Sequence, residues 1–318
     1  MAEASCRTGA RARPPLLPLW LLLAVLAGCA QFGTRPDRMD GEPAPPGRVA
    51  ILVSDALPAY EGVAEILVQR LYPTPVVYRL GGSAFDPRQM VDALEVERGV
   101  PIVAIGPEAL HAATLISARP VVFCQVYNYD GTDAGLARRG VKAMPPAAKQ
   151  LQAWKLLDPR LRRVALLTGP GLKELADEAR AAAKRAQLEL EHVEVRSDKE
   201  LLYAVKRLDR GIQGVWLAPD RQVLSAEVLR EALSHSVRQG MSVLAFSPQL
   251  LPYGALLSVE SEYGDVAEQV IAQINGLGGK KRDDVLALTR ARVEINPLVA
   301  RHLGLTVPRP LQGGAYVF

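Results

Sequence analysis

Chemistry needs nucleophiles, metal ligands or acid–base pairs at workable spacings, and this chain of 318 residues offers few, with three cysteines and four histidines. Cys6, Cys29 and Cys124 contain no C-x-x-C spacing of a zinc or redox site. Cys124 lies in the strand-like run "RPVVFCQV" (119–126) and reads as a small buried hydrophobe. His111, His192, His235 and His302 fall in or beside expected helices and strands at spacings with no ligand pattern. There is no H-E-x-x-H, no G-x-S-x-G, no EF-hand loop, no P-loop and no G-x-G-x-x-G after the first strand. No catalytic residue, metal site or cofactor is therefore expected. Cys29 stands apart because of what precedes it.

Arg7, Arg11 and Arg13 form a basic flank ahead of the apolar stretch "PLLPLWLLLAVLAG" (15–28). That stretch is shorter than the ~20 residues a bilayer-spanning helix needs. Basic flank, short apolar run and small residues before a break mark a secretory signal peptide. "LAGC" (26–29) resembles the bacterial lipobox, which implies a cut before Cys29 and a diacylglycerol on its thiol. Several acyl chains, at ~0.8 kcal/mol per buried CH₂, would give stable membrane anchoring. Residues 1–28 are thus expected to be removed, and 29–47, rich in Pro, Gly and charge, to form a flexible tether. Ala30 lacks the aspartate that resembles an inner-membrane retention signal, so an outer membrane, where present, is the expected anchor site.

The composition, 49% apolar and 23% charged, is that of a globular protein, and the length allows two lobes. The formal net charge of +4 owes part of its excess to the basic flank, and "GKKRDD" (279–284) carries its own counter-charges as a solvated loop. No clustered basic surface for nucleic acid is present.

The elements that must position any site alternate regularly. Continuous apolar runs predict strands over 48–55, 74–81, 100–106, 119–126, 162–169, 212–219 and 241–247, with a further strand over 188–196. Helical patterns lie between them over 60–72, 87–99, 107–117, 145–159, 172–187, 198–211 and 225–240. Alternation of this kind predicts an α/β fold of two Rossmann-like lobes with parallel sheets and right-handed crossovers. In such sheets ligands bind beyond the carboxyl ends of the strands.

Five segments carry a resemblance: "RPVVFCQVYNYDG" (119–131), "AAKQLQAWKLLDPRLRRVALLTGPG" (147–171), "WLAPDRQVLSAEVL" (216–229), "YGALLSVESEYGDVAEQVIAQINGL" (253–277) and "VEINPLVARHLGLTVP" (293–308). In that order they resemble the ABC-transporter substrate-binding lipoproteins of type I periplasmic-binding fold, in the branch with tryptophan- and tyrosine-binding members. Tyr263 near a helix start and the closing "IN…A…LGL.VP" are the most specific pieces. Asn296 there is a plausible N-cap, with Pro297 at the first helical position and Gly304 as the stop.

The resemblance implies two lobes joined by a three-crossover hinge that closes on a small, amino-acid-like solute, delivered by a monomer to an ABC permease of the inner membrane. Lobe one is expected over 48–127 and 254–285, lobe two over 128–253 and 286–308, with 309–318 a tail. Implied ligand contacts are Ser54, Tyr60, Gly106, Glu108, Gln125 and Tyr127 from lobe one. Lobe two would supply Thr168, Gly169, Asp220, Phe246 and Ser247. Gly106 and Gly169 would offer free N–H groups to a carboxylate, Ser54 and Thr168 hydroxyl donors, and Asp220 an acceptor for an ammonium; Tyr60, Tyr127 and Phe246 would stack on an apolar body. The family's asparagine after that aspartate is Arg221 here, and its "N-x-T-G" stretch is "DAGLARRGV" (133–141), so a tryptophan or tyrosine ligand is not carried over. A sensory or assembly lipoprotein on the same fold is the alternative, and an enzyme is the least supported, since no catalytic set can be assembled.

Overall fold

A computed structural model describes residues 48–81, 90, 94, 100–116, 119–127, 129, 139–219, 225–277, 285–311 and 315–317. The expected signal peptide, Cys29, the expected tether, most of the helix expected over 87–99, the loop expected over 279–284 and Asp220 lie outside these residues.

The first lobe holds a parallel sheet whose strands are β1 (Ala50–Val53), β2 (Val76–Arg79), β3 (Ile102–Ile105), β4 (Val121–Cys124), β5 (Arg139–Val141) and β11 (Val285–Leu286), in the order β11-β5-β4-β3-β1-β2. Its two faces are filled differently. Ile51, Val53, Val103, Ile105, Val122 and Cys124 pack under α1 (Pro58–Arg70) and α7 (Tyr263–Asn275). Leu52, Ile102, Ala104 and Phe123 pack with α2 (Pro107–Leu115) and with Met90 and Leu94. Strands buried on both faces need the unbroken apolar runs that the sequence supplies.

The second lobe holds β6 (Arg163–Thr168), β7 (Glu189–Glu194), β8 (Gly214–Leu217), β9 (Ser242–Ala245), β10 (Leu257–Ser261), β12 (Ala291–Ile295) and β13 (Ala315–Val317), in the order β13-β12-β10-β9-β8-β6-β7. The sheet is parallel from β7 to β10, and β12 and β13 join it antiparallel. Helices α3 (Ala147–Leu157) and α4 (Lys173–Arg185) cover one face, α5 (Asp198–Lys206) and α6 (Ala226–Arg238) the other. Ala176, Ala179, Ala182 and Ala183 form the buried stripe of α4, recurring at the three-to-four-residue period that keeps one helical face inward. β7, which ends the described sheet, exposes Glu189, Glu191 and Glu194.

Among the described residues the chain passes between lobes three times, at residues 142–146, at Glu262 and at residues 287–290. The crossings correct the expected lobe limits. The first lobe was expected to end at 127 and resume at 254, but β5 extends its sheet and β10 belongs to the second. β5 escapes a sequence reading because it is three residues long with Gly140 at its centre. That glycine is needed where the Phe123 ring lies within 2.5 Å of any Cβ placed there. The expected tail also folds: β13 pairs with β12 through Val293 and Tyr316.

The closing helix α8 (Pro297–His302) follows its sequence signals. Asn296 Oδ1 accepts from the N–H groups of Leu298 (3.0 Å) and Val299 (3.1 Å). Gly304 has φ +65°, and the N–H of Leu305 returns to the carbonyl of Ala300 at 2.8 Å. This is the left-handed cap that ends a helix with its last carbonyls satisfied.

Candidate ligand-binding cleft

Several implied contacts stand at the carboxyl ends of lobe-one strands, yet their polar groups are partly spent on the fold. Ser54, which follows β1, is buried, and its Oγ accepts from the N–H of Ala109 at 2.8 Å. It therefore caps α2 from a neighbouring strand, because Gly106, the N-cap residue, has no side chain to do so. Gly106 has φ +90°, and a Cβ on it would stand 2.6 Å from Ser54 Oγ and 2.8 Å from the Tyr60 ring. The expectation that its N–H is free for a carboxylate fails, since it donates to the carbonyl of Cys124 at 3.0 Å, continuing the ladder between β3 and β4.

Glu108 is exposed in the first turn of α2, where a carboxylate complements the helix dipole. In the second lobe the hydroxyl of Thr168 is engaged with His192 Nε2 at 2.9 Å, and Arg180 meets the other ring nitrogen. Burial and the Arg180 charge hold the His192 pKa below its ordinary value. Gly169 is buried but does not open a helix; α4 begins four residues later with Leu172 as N-cap. Phe246 and Ser247 line a groove with Leu229, Arg230 and Tyr253 of α6 and the following 3₁₀ turn (Pro248–Tyr253). Ser247 Oγ accepts from the N–H of Gln249 at 3.3 Å and caps that turn.

Gln125 and Tyr127 are placed between the lobes. Gln125 is 1% exposed, takes the left-handed φ of 56°, and donates from Nε2 to Ser261 Oγ at 2.8 Å, linking the end of β4 to the end of β10. Its Oε1 is buried without a partner. Tyr127 lines a cavity of about 470 Å³. The walls of that cavity come from both lobes: Phe123, Val126 and Tyr129 on one side, Leu172, Leu175 and Glu178 on the other, with the crossing Lys142–Pro145 as floor. Among its lining residues the Lys142 ammonium pairs with Glu174 at 2.6 Å. The volume and the mixed aromatic, aliphatic and charged lining suit a small organic solute.

The phenol of Tyr127 is pushed above its ordinary pKa, chiefly by burial and then by Tyr60, Glu260 and Tyr263. Glu260, one residue from the end of β10, is one of the charges that raise it, and it does not line the cavity. It was missed in the sequence. The one available signal was an acid, one residue before the end of "LSVES", flanked by residues that bury in the strand. Burial pushes its carboxyl up to about 7, while Arg292 opposes the shift and Glu294 adds to it. Arg292 lies 3.6 Å from Glu260 and 5.8 Å from the centre of the Tyr263 ring. Among the described residues no group of three or more His, Cys, Asp or Glu side chains could hold a metal ion.

Residues 86–315 match the family model of the ABC transporter substrate binding proteins. The chain belongs to this family. Solved structures of the same fold include an ABC domain from Streptococcus pneumonia in complex with L-Trp, 20% identical, with TM-score 0.57, covering 85% of this chain and 98% of its own. A ligand-free, open substrate binding protein with adhesive properties from Clostridium difficile is 15% identical, with TM-score 0.65, covering 82% and 96%. A conserved domain protein from Vibrio cholerae is 16% identical, with TM-score 0.55, covering 83% and 97%. No curated protein matches the sequence. The family works outside the cytoplasm, binding small solutes for ABC permeases, and among the described residues no helix is long and apolar enough to cross a membrane.

Proposed function

We propose that this protein is the solute-capturing component of an ABC importer, a monomer that binds an amino-acid-like molecule between its lobes without transforming it. The observation that carries the reading is the cavity of about 470 Å³ walled by both lobes above a crossing segment. A solute seated there would touch both lobes, so binding and lobe closure would be coupled. Such a solute raises the melting temperature: at a hundredfold excess over Kd the stabilisation is about 2.7 kcal/mol. A thermal-shift panel of amino acids, short peptides, sugars and purines is expected to yield one stabilising class. A panel that moves nothing would sink solute capture and favour a sensory or assembly lipoprotein.

The anchor is the second part of the proposal. "LAGC" at 26–29 supports lipidation of Cys29, and the tether over 29–47 would hold the folded body off the membrane, with the outer membrane as the site where there are two. Cys29→Ser is expected to leave the protein unlipidated and released from membrane fractions by a salt wash. Continued extraction by detergent alone would refute the anchor.

A further inference from the structure

We infer that Lys142 is a specificity-determining residue of the interlobe cavity, receiving a carboxylate of the solute at the place now taken by the Glu174 side chain. The inference rests on the solute-capture reading above and names the group that the cavity selects: a carboxylate carried on an aromatic or branched apolar body.

The donors expected for such a group are engaged or misplaced. The N–H of Gly106 is used between β3 and β4, Gly169 opens no helix, and the Ser54 and Thr168 hydroxyls meet Ala109 and His192. The cavity offers a cation instead. Lys142 is the single cationic side chain among its described lining residues. Its backbone is fixed, since it directly follows β5 and its N–H donates to the carbonyl of Leu286 at 2.8 Å. Its side chain is a flexible stem ending in three N–H donors and no acceptor.

The two carboxylates described in the lining are not equivalent. Glu178 Oε1 accepts from the N–H of Ala147 at 2.7 Å and so caps α3, whose N-cap residue Pro146 makes no side-chain bond. Glu178 is thereby committed to the fold. Glu174 meets the Lys142 ammonium at 2.6 Å with its own side chain 76% exposed, while that of Lys142 is 38% exposed. An ion pair so open to water contributes little and exchanges readily. Released, Glu174 turns to solvent from the first turn of α4, a position that suits a carboxylate by itself. The more sheltered ammonium stays in the cavity. Because the group it holds is already a carboxylate, an acidic solute repeats a contact that the site makes.

The remaining walls set the body of the solute. The rings of Phe123 and Tyr129 have centres 4.2 Å apart, tilted by 37°, and Tyr127, Met144, Leu172 and Leu175 line the same cavity. A single charge beside such walls orients an apolar solute by one end.

The test uses titration calorimetry and thermal shift on the purified full chain, with matched probes: L-phenylalanine, L-leucine, their deaminated acids hydrocinnamate and isocaproate, and the carboxamide of each. Binding is expected among the carboxylates, with the matching carboxamides at least about tenfold weaker. For the strongest probe, Lys142→Gln should weaken binding at least about tenfold, whereas Glu174→Gln should leave it equal or tighter, because a competing carboxylate is gone. Both ligand-free variants should melt close to the wild type, as expected for an exposed pair. A pair that merely latched the lobes would give the other sign, Glu174→Gln weakening binding together with Lys142→Gln, and that result overturns the proposal. Undiminished binding by Lys142→Gln, carboxamides that bind as well as their acids, or stabilisation by a sugar or purine and by none of the carboxylates overturns the role of Lys142 and leaves solute capture standing. Silence across all of these solutes overturns both.

Discussion

Trp154→Ala is expected to remove about 3–5 kcal/mol of stability, the range for deleting a fully buried aromatic side chain. Trp154 is 0% exposed on α3 and sits in the core between α3, α4 and the second sheet. Its ring is fitted against the strand backbone: a Cβ on Gly214 would lie 2.3 Å from the tryptophan Cζ2. The indole N–H donates to Ser242 Oγ at 3.0 Å, so truncation leaves a cavity and removes one of that hydroxyl's two bonds, the other going to the Gln213 carbonyl at 3.4 Å. Denaturant midpoints compared at equal m-values measure the loss. Trp154→Phe, which keeps most of the volume and loses only the hydrogen bond, should fall well short of the alanine variant. Equal losses would mean that the bond, and not the volume, carries the effect.

Asp265→Ala is expected to cost a comparable ~3–5 kcal/mol through a different mechanism, the loss of three bonds to a charged acceptor at about 1.5–3 kcal/mol each, partly offset by water. The Asp265 carboxylate, 2% exposed in the first turn of α7, accepts from the N–H of Thr289 (2.7 Å), the hydroxyl of Thr289 (2.5 Å) and the N–H of Arg290 (2.8 Å). It thus holds the third crossing to the helix that follows the second. Arg290 ties the same two segments again, at 3.3 Å to Glu262 and 2.8 Å to Glu268. The first crossing is joined to the third by the N–H of Lys142 and the carbonyl of Leu286, 2.8 Å apart. The second and third passages are thus bonded to each other, and the first is bonded to the strand from which the third departs. Amide hydrogen exchange over 287–290 should quicken in Asp265→Ala, along with the loss in stability. Asp265→Asn, which can keep the acceptor contacts of one oxygen, should lie between. Unchanged exchange at these amides would show that the crossing is held by Arg290 alone.

Much of the fold was legible because its strands are buried on both faces. β1, β3, β4, β6, β8 and β9 each sit within a continuous apolar run, and the spacing between them leaves room for one helix. β5 and β11 were not legible: "RGV" and "VL" have neither the length nor the pattern of a strand, and they exist because β4 offers an edge to pair with. The lobe limits were misplaced for the same reason, since sheet membership is decided by pairing across the chain. The candidate site divides along similar lines. Tyr127 and Gln125 stand at the interlobe position expected from the carboxyl end of β4. Ser54, Gly106 and Thr168 stand at strand ends too, but their donors and acceptors are consumed by Ala109, Cys124 and His192, partners remote in sequence. Glu260 was not legible either, since an acid between Val259 and Ser261 reads as facing water. It stands opposite Arg292 on β12, whose guanidinium is bonded to Glu294 and approaches Glu260 only to 3.6 Å.

The outer border of the second lobe has a consequence for life at high density. A strand that ends a sheet offers unpaired N–H and C=O groups on which another chain can grow. On β7 the approach is guarded by Glu189, Glu191 and Glu194, all exposed along six residues. Arg163 pairs with Glu189 at 3.0 Å and Arg196 with Glu194 at 3.4 Å, so another strand pairing here would have to displace or accommodate charged side chains of both signs. Copies of this chain that meet at this border are thereby hindered from growing one sheet into the next.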